Sequence, residues 1–334
     1  MPDKRLMLIG AGALGRQRAQ CFRRIAGVQL VAVASRSQDS ALRLAEEVGA
    51  PFAGTDPERM ADQKPLDAVA ICAPNDRHYP LIKWALQRNL HVFVEGPMCN
   101  TARQAEELNN LAIERQLIVE VGFQRRYHPV IRRARDMVQS GGMGQFTYGE
   151  VEFFYNILAD SAGGDPWYVD QEVSGGMCVC HMSYGLNTLR YILGDPVEVF
   201  AVANNFAFRG PGHLTEEAVA ALLMYRSGAV AHIVAGFAAP PGFPTGTLKA
   251  YGTTGGFTLQ ILDPPYGTFY AGGSQDEMPN PPGSDDLHDQ CLAFVEALHG
   301  RGELLNPPAD SWRELRIIEG ILQSAKLRRP IAVP

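Results

Sequence analysis

The apolar and polar positions alternate in two different ways along the chain, and each way predicts its own architecture. In the first third, short apolar runs are separated by stretches with helical periodicity. The predicted strands are 5–9, 29–34, 67–72, 90–94 and 117–122. The predicted helices are 14–25, 38–48, 77–88 and 102–115. Alternating strands and helices are typical of a doubly wound parallel sheet with helices on both faces. Residues 1–123 are therefore predicted to form one α/β domain.

Residues 124–334 show a second pattern, in which strands follow one another with tight turns between them. The predicted strands are 146–154, 196–207, 215–225, 229–237, 247–251 and 256–261. The predicted helices are 129–139, 178–193, 285–299 and 309–327. The segment 262–284 is rich in proline, glycine and aspartate, which predicts an irregular exposed loop. Consecutive strands favour a mostly antiparallel sheet, so we expect a second α/β domain with a large open sheet.

The first strand runs directly into a glycine-rich turn with the spacing Gly10-x-Gly12-x-x-Gly15. In a dinucleotide-binding fold, the three glycines allow a tight turn, the approach of a pyrophosphate and close packing of the helix on the strand. The amides of Ala13, Leu14 and Gly15 at the start of the helix then face the phosphates. This context predicts a Rossmann-type cofactor site, and the alternative is an ordinary tight strand–helix turn.

The end of the second strand indicates which dinucleotide is preferred. An acidic residue at that position binds the hydroxyls of the adenosine ribose and repels a 2′-phosphate. The chain has Ser35 and Arg36 there and no acid. A serine hydroxyl donates a hydrogen bond and a guanidinium pairs with phosphate, so the sequence favours NADP over NAD. If Arg36 instead stacks on the adenine, both cofactors are accepted.

Composition and charge argue against several classes of function. The net charge is −6 and no long basic run occurs, so nucleic acid is not an expected partner. No stretch approaches the roughly 20 apolar residues of a membrane span, and the first strand begins too early to leave room for a signal peptide. The six cysteines lack zinc-ligand spacing. We therefore expect no metal site, reduced thiols and a cytoplasmic protein.

Further motifs follow the glycine-rich turn in a fixed order. They are Ala73-Pro74-Asn75-x-x-His78, Glu95-Gly96-Pro97, the run from Val121 to Pro129, Ser174-Gly175-Gly176, and Tyr251-Gly252-Thr253-x-Gly255. Together they resemble the Gfo/Idh/MocA family of oxidoreductases over residues 5–330. The resemblance implies a Rossmann domain, residues 1–123, followed by an α/β domain, residues 124–334. The open sheet of the second domain forms the floor of the substrate site and an oligomer face in such proteins.

The resemblance also implies an activity and a set of cofactor contacts. The activity is hydride exchange between nicotinamide and a secondary alcohol or carbonyl of a small molecule such as a sugar, cyclitol or cyclic dihydrodiol. The expected assembly is a homodimer or homotetramer built through the C-terminal sheet. The expected cofactor-binding residues are Gly10, Gly12, Ala13, Leu14, Gly15, Ser35, Arg36, Ala73, Pro74, Asn75, His78, Glu95, Gly96, Pro97 and Gln124.

The segment after Gly176 is similar to the catalytic helix of one branch of this family, the glucose–fructose oxidoreductases and dimeric dihydrodiol dehydrogenases. Cys180, Tyr184 and Asn187 have the i, i+4, i+7 spacing of one helical face. The resemblance implies that Tyr184 is the proton relay, which requires a pKa lowered from about 10. His181 and Cys180 are further candidate catalytic residues. The alternative is that Tyr184 is a buried aromatic residue with a satisfied hydroxyl.

One position departs from the family pattern. The family carries Glu-Lys-Pro where this chain has Glu95-Gly96-Pro97, and its lysine holds the reacting oxygen. Glycine offers neither charge nor donor, and we expect it to leave a void that admits a larger substrate. Three interpretations follow: a dehydrogenase with a rearranged site, a cofactor-containing lyase or hydrolase, or a non-catalytic NAD(P)-binding sensor.

Aromatic residues and one arginine are the candidates for substrate recognition. The expected substrate-binding residues are Arg125, Tyr127, Tyr155, Trp167 and Asn187, with Tyr168 beside them. This mixture suits a ring that bears hydroxyl or carboxylate groups. The alternative is that these side chains only pack the domain junction.

Overall fold

The structure is a computed structural model that describes residues 3–155, 167–205, 215–237, 239, 240, 243, 246–262 and 264–333. The chain folds into two compact units. The first contains Met1–Cys99, Arg103–Gln124 and Asp285–Trp312, and the second contains Asn100–Ala102, Arg125–Ser284 and Arg313–Pro334. The segment Asp285–Trp312 therefore packs with the N-terminal unit. A division of the sequence at residue 123 assigns this segment to the other domain.

The first unit is built on a six-stranded parallel sheet. Its strands are β1 (Lys4–Ile9), β2 (Val28–Ala34), β3 (Phe52–Gly54), β4 (Ala68–Ile71), β5 (His91–Glu95) and β6 (Val119–Gly122). The strand order is β3-β2-β1-β4-β5-β6, so the chain extends the sheet in opposite directions from β1 and β4. The carboxyl ends of these two strands form the switch point at which such sheets bind ligands. The predicted doubly wound parallel sheet is confirmed.

Helices connect the strands of the first unit and close its core. They are α1 (Ala13–Arg23), α2 (Gln38–Val48), α3 (Pro57–Gln63), α4 (Asn75–Gln87) and α5 (Ala102–Arg115). The sequence patterns do not predict β3 or α3, because three strand residues and two helical turns carry little periodicity. Phe22, Phe93 and Phe294 meet edge to face in the core, with ring centroids 5.6, 6.4 and 5.7 Å apart. Such aromatic pairs stabilise a core beyond their buried area.

The second unit is built on a nine-stranded sheet of order β14-β13-β12-β11-β7-β10-β9-β8-β15. Its strands are β7 (Phe146–Phe154), β8 (Glu198–Asn204), β9 (Ala218–Met224), β10 (Val230–Gly236), β11 (Gly246–Gly252), β12 (Gly255–Gln260), β13 (Tyr266–Ala271), β14 (Ser274–Met278) and β15 (Ile331–Ala332). The pair β7–β10 is parallel, and the other strand pairs described in this sheet are antiparallel. The predicted mostly antiparallel sheet is confirmed.

Four longer helices follow α5 in the described part of the chain. They are α6 (Pro129–Gln139), α7 (Ser183–Leu193), α8 (Asp286–Leu298) and α9 (Pro308–Leu327). Helix α7 packs closely on β7, because a Cβ on Gly185 would lie 3.0 Å from the side chain of Val151. Val151 and Leu248 are fully buried on this face of the sheet, whereas Leu222 and Tyr251 are exposed on the other. The side chains of the sheet thus alternate between a helix-covered face and an open face.

The expected irregular loop at 262–284 is wrong for its central part. Residues Tyr266–Ala271 and Ser274–Met278 form the hairpin β13–β14, which extends the sheet beyond β12. Gly272 and Gly273 connect the strands with φ values of +57° and +78°, which suit a two-residue hairpin turn. The pair Gly272-Gly273 is itself a hairpin signal. The prolines and glycines around it nevertheless gave the segment the composition of an irregular loop.

Candidate functional site

The glycine-rich turn after β1 needs its three glycines for different reasons. Gly10 has a φ of +109°, and a Cβ there would lie 2.1 Å from the carbonyl oxygen of Cys72. A Cβ on Gly15 would lie 2.1 Å from the carbonyl oxygen of Gly10, so α1 approaches β1 only without a side chain. A Cβ on Gly12 would meet no described atom within 4 Å. The space beside Gly12 is therefore open, which fits the approach of a pyrophosphate.

The N-terminus of α1 suits an anion. Gly12 is its N-cap, no described side chain caps it, and its first turn contains no acidic residue. The amides at the start of a helix lack intrahelical acceptors and carry a partial positive charge. Ala13, Leu14 and Gly15 are the residues that would hold the phosphates of a dinucleotide there. The local geometry therefore fits the cofactor that the motif predicts.

The two residues that directly follow β2, Ser35 and Arg36, provide a cation and no carboxylate. The Ser35 amide donates a hydrogen bond of 3.0 Å to the carbonyl of Gly54, and Arg36 is exposed. The nearest acid in the sequence, Asp39, already belongs to the first turn of α2. Ser35 and Arg36 thus stand at the strand end where the adenosine ribose of a dinucleotide is expected.

His78 links the turns that follow β4 and β5. Its ring is 1% exposed, with Nδ1 2.8 Å from the carbonyl oxygen of Pro97 and Nε2 2.8 Å from that of Ala73. Burial lowers the pKa of His78, although the carbonyl oxygens oppose the shift, and a neutral ring donates to one of the two carbonyls at a time. Pro74 precedes α4 and Asn75, also buried, begins it. His78 therefore connects the turn after β4 with the turn after β5.

The space beside Gly96 is filled by the protein itself. A Cβ on Gly96 would lie 2.7–2.9 Å from the ring of Phe123, which is 2% exposed. The expected void at Gly96 is therefore wrong next to the backbone, because an aromatic ring lies where a side chain would begin. The preceding carboxylate, Glu95, is engaged by the guanidinium of Arg18 at 2.5 Å. Gln124, half-buried, begins the short 3₁₀ segment Gln124–Tyr127.

In the second unit, the helix that carries Tyr184 begins with an irregular turn. Residues Cys178–Met182 form a π-helical turn that continues into α7. The side chains of Thr215 and Glu216 accept hydrogen bonds of 2.8 and 2.7 Å from the amides of Met177 and Cys178. Because a π turn is wider than an α turn, the predicted single face of Cys180, Tyr184 and Asn187 is not a regular i, i+4, i+7 stripe.

Cys180 and His181 are both held in their neutral forms. Burial and the nearby charge of Glu216 raise the pKa of the Cys180 thiol far above its ordinary value. Burial lowers the pKa of His181 to about 3. The His181 ring lies among aromatic rings, 4.5 Å from Tyr155 and 5.0 Å from Phe237 between centroids. Its Nε2 is buried without a hydrogen-bond partner among the described residues. His181 thus offers an uncharged imidazole.

Asn187 is occupied by a buried polar cluster. Its Oδ1 accepts a hydrogen bond of 2.8 Å from Nε of Arg126, and its Nδ2 donates one of 2.8 Å to Glu314. Arg190 donates a further bond of 3.4 Å to the same carboxylate. Asn187, Arg126 and Glu314 are each less than 5% exposed. The cluster anchors α7 one turn after Tyr184, which is half-buried.

The other expected substrate residues fall into two groups. Tyr127 is 3% exposed and packs under the guanidinium of Arg132, 5.5 Å from its ring centroid. Arg125, Tyr155 and Trp167 are half-buried. Trp167 stacks on the exposed Tyr168 with the ring centroids 3.9 Å apart. Partial exposure leaves these three side chains able to contact a ligand, whereas Tyr127 and Asn187 are enclosed by the protein.

Several polar residues that organise these sites were not predicted from the sequence. They are Arg18, Thr215, Glu216, Arg126 and Glu314. Arg18 had one local signal, since it lies on the helix that leaves the glycine-rich turn. The others have partners distant in sequence, so only the fold brings them together.

The described residues lack two features that bear on ligands and on membranes. No group of three or more His, Cys, Asp or Glu side chains in them is arranged to hold a metal ion. None of their helices is long and apolar enough to cross a membrane.

Family models and known proteins match the chain along its length. The model of an oxidoreductase family with an NAD-binding Rossmann fold matches residues 4–123, and the GFO/IDH/MocA C-terminal domain model matches residues 131–258. A D-xylose 1-dehydrogenase (NADP(+)) of Haloferax volcanii is 27% identical over 212 residues, 64% of this chain and 63% of that protein. The chain thus matches less than two thirds of the length of this relative.

Other matches extend over more of the chain. A 1,5-anhydro-D-fructose reductase of Ensifer adhaerens is 25% identical over 89% of this chain and 88% of its own length. The crystal structure of an aldose–aldose oxidoreductase from Caulobacter crescentus, complexed with glycerol, superposes with a TM-score of 0.88. It is 22% identical and covers 99% of this chain and 100% of its own, which shows the fold. The chain belongs to the Gfo/Idh/MocA family of oxidoreductases, whose N-terminal domain is an NAD-binding Rossmann fold.

Proposed function

We propose that this protein is an NAD(P)-dependent dehydrogenase or reductase that acts on a secondary alcohol or carbonyl of a sugar, cyclitol or cyclic dihydrodiol. The observation that carries the proposal is the uncapped N-terminus of α1 beside the open space at Gly12, within a family of oxidoreductases. Relatives named as xylose and inositol dehydrogenases support the substrate class. Residues 1–123 would hold the cofactor and residues 124–334 the substrate.

NADP is the favoured cofactor in this proposal. Arg36 is exposed at the end of β2, where its guanidinium can pair with a 2′-phosphate. Neither Ser35 nor Arg36 has the carboxylate that would select the free ribose hydroxyls of NAD. The phosphate contacts come from Gly12, Ala13, Leu14 and Gly15, and the turns Ala73-Pro74-Asn75 and Glu95-Gly96-Pro97 line the second half of the cofactor.

Tyr184 is the proposed proton relay. The bound nicotinamide supplies or accepts the hydride. In the reduction direction the Tyr184 hydroxyl donates its proton to the carbonyl oxygen, and in the oxidation direction the phenolate accepts the hydroxyl proton of the alcohol. His181 assists as a neutral imidazole that exchanges hydrogen bonds without carrying charge. Cys180, whose thiol stays protonated, shapes the site and transfers no proton.

Position 96 has no lysine to assist the reaction, and the ring of Phe123 lies where a side chain at this position would begin. Arg125, Tyr155 and Trp167 are the proposed substrate contacts, because their half-buried side chains combine a cation with aromatic faces. Tyr127 and Asn187 act on the substrate indirectly, through the segments that they fix. A ring with several hydroxyl groups suits these contacts through hydrogen bonds and stacking.

The open face of the second sheet is the proposed oligomer surface. Val202, Leu222 and Tyr251 are exposed on it by 45–48%, and a shallow apolar pocket is lined by Phe200, Val202, Ala220, Leu222, His232 and Val234. Exposed apolar patches of this kind mark contact surfaces, so we propose a homodimer or homotetramer. Light scattering tests the assembly, since Leu222→Lys is expected to lose oligomer mass relative to wild type.

The six free thiols support a cytoplasmic location.

Substitution of Tyr184 tests the proposed reaction. Tyr184→Phe is expected to lower kcat by about 10²–10⁴ while the dissociation constant of the cofactor stays within about twofold. Tyr191→Phe, two turns later on the same helix, is the matched control and should retain turnover. Wild-type protein that holds cofactor but never oxidises or reduces it during turnover would favour a lyase or hydrolase. Protein inert across a broad panel of polyols would favour a non-catalytic sensor.

A further inference from the structure

Arg18 is a fully buried cation on the helix that leaves the glycine-rich turn. It is 0% exposed, and its guanidinium forms a two-pronged pair with Glu95, with Nε 2.5 Å from Oε1 and Nη2 3.2 Å from Oε2. Nη2 also donates to Gln290 at 3.0 Å, and Nη1 donates to the carbonyl of Leu287 at 3.1 Å. The cation is therefore held from two sides, by the end of β5 and by α8.

The network continues from Gln290 to the end of β6. The Gln290 amide nitrogen donates to the carboxylate of Glu120 at 2.9 Å and to the carbonyl of Val121 at 2.8 Å. Asn306 donates to the same carboxylate at 3.3 Å and to the carbonyl of Phe123 at 3.1 Å. Phe123 is the residue whose ring covers Gly96. One chain of hydrogen bonds thus connects the middle of α1 with the end of β5 and with β6.

Such a network is poorly explained by stability alone. Removing a guanidinium and a carboxylate from water is costly, and well-packed apolar residues often replace a buried ion pair without loss of stability. Burial opposes the charged form of Arg18, yet the charge and hydrogen bonds of Glu95 keep its pKa above the ordinary value. The guanidinium of Arg18 consequently stays charged, and the pair is directional and fixed, which are the properties that set a geometry.

The fold indicates which geometry is set. A dinucleotide crosses the switch point between β1 and β4, with its adenosine half toward β2 and its other half toward β4 and β5. Arg18 lies in the middle of the phosphate-binding helix, and Glu95 directly precedes Gly96-Pro97 at the end of β5. We propose that Arg18 and Glu95 are positioning residues that fix the nicotinamide-side turn Gly96-Pro97 relative to the phosphate-binding helix.

The pair acts through the backbone, and the side chains of Arg18 and Glu95 do not touch the cofactor. Both oxygens of Glu95 accept from Arg18, and all three guanidinium nitrogens of Arg18 have acceptors within the unit. This inference rests on the cofactor placement proposed above, and it concerns only the nicotinamide half. Loss of the pair should therefore weaken binding of the whole cofactor and leave binding of its phosphate half unchanged.

Arg18→Lys is the first test, with Arg23→Lys as matched control. Lysine keeps the charge but lacks the planar fork, and Arg23 is exposed on the same helix. The probes are ADP-ribose, which lacks nicotinamide, and whichever of NADH and NADPH wild type binds more tightly. For Arg18→Lys, the dissociation constant of the reduced cofactor should rise about tenfold. That of ADP-ribose should change less than about twofold, and the fluorescence of the bound nicotinamide should shift toward that of free cofactor.

A second variant guards against simple misfolding. Arg18→Met with Glu95→Leu replaces the ion pair by apolar side chains. It is expected to unfold in one cooperative transition, at a lower Tm than wild type because the buried carbonyl groups of Gln290 and Leu287 lose their donor, and to show the same separation of affinities. Unchanged affinity and fluorescence for reduced cofactor in both variants would overturn the proposal. An equal loss for ADP-ribose and reduced cofactor would overturn it as well, since it would indicate a general structural role. None of these measurements needs turnover, so failure of the proposed reaction is seen separately.

Discussion

Alanine at Gly12 and alanine at Gly15 are expected to damage the protein in opposite ways, although the residues are three positions apart. A Cβ on Gly15 would lie 2.1 Å from a backbone oxygen, whereas ordinary contact begins at 3.4 Å. Helix α1 would have to move by about 1.3 Å to admit it. A Cβ on Gly12 would meet nothing described within 4 Å, and its φ of −73° and ψ of −174° suit any residue.

The magnitudes follow from these distances. Overpacking of a rigid site costs about 1–3 kcal/mol, and a backbone oxygen gives way less than a side chain does. Against this, alanine is favoured over glycine inside a helix by about 1 kcal/mol. Gly15→Ala is therefore expected to lose about 2 kcal/mol of unfolding free energy, or about 5 °C in Tm. Gly12→Ala should lose no more than about 1 kcal/mol, because alanine is a poorer N-cap residue than glycine but meets no clash.

Cofactor binding should show the reverse order. The new methyl group of Gly12→Ala would fill the space that the pyrophosphate needs, so the dissociation constant of NADPH is expected to rise at least about tenfold. Urea unfolding and cofactor fluorescence titration of the two variants measure both effects. The reasoning is refuted if Gly12→Ala binds cofactor as tightly as wild type, or if Gly15→Ala is as stable as wild type.

Three further predictions address the cofactor, the buried histidine and the anchored helix. Arg36→Ala should raise the dissociation constant of NADPH about tenfold and leave that of NADH unchanged; equal effects on both would contradict the assignment of Arg36. His181 has a pKa of about 3 in the folded protein and about 6.5 when unfolded. The unfolded state thus binds a proton first as the pH falls, and wild type loses about 2 kcal/mol between pH 7 and pH 5 through this group. His181→Gln should lack that loss in urea titrations at the two pH values, and an unchanged pH slope would argue against a buried neutral His181. Asn187→Ala leaves Arg126 and Glu314 buried without their shared amide, so it should cost about 3 kcal/mol in urea unfolding; a loss below about 0.5 kcal/mol would contradict the anchoring role.

The parts of the fold with strong local signals could be predicted from the sequence. Helix 38–48 coincides with Gln38–Val48 in the structure, because Ser37 provides an N-cap and Gly49 a C-cap. The turn at Gly10, Gly12 and Gly15 could be predicted from its spacing, although the carbonyl oxygen that a Cβ on Gly10 would meet belongs to Cys72, which is distant in sequence. Helix caps and glycine spacings are local signals that need only neighbours in the chain.

The parts that depend on distant partners could not be predicted. Arg18 and Gln290 are separated by 272 positions, and no periodicity points from one to the other. Asn187 looked like a substrate contact from its spacing, but Arg126 and Glu314 occupy its amide. A void was expected at Gly96 because the sequence does not show that the ring of Phe123, just after the next strand, reaches this position. The π turn at Cys178–Met182 likewise has no sequence signal that distinguishes it from the α-helix that follows.

The central claim, that the protein exchanges a hydride between its cofactor and a small polyol, is tested most directly by isotope transfer. The protein is incubated with reduced cofactor deuterated at the transferring position and with ketone forms of sugars and cyclitols, and the products are examined by mass spectrometry. The account predicts one deuterium on the new alcohol carbon and no transfer with Tyr184→Phe. Label that remains on the cofactor with every carbonyl compound would contradict it.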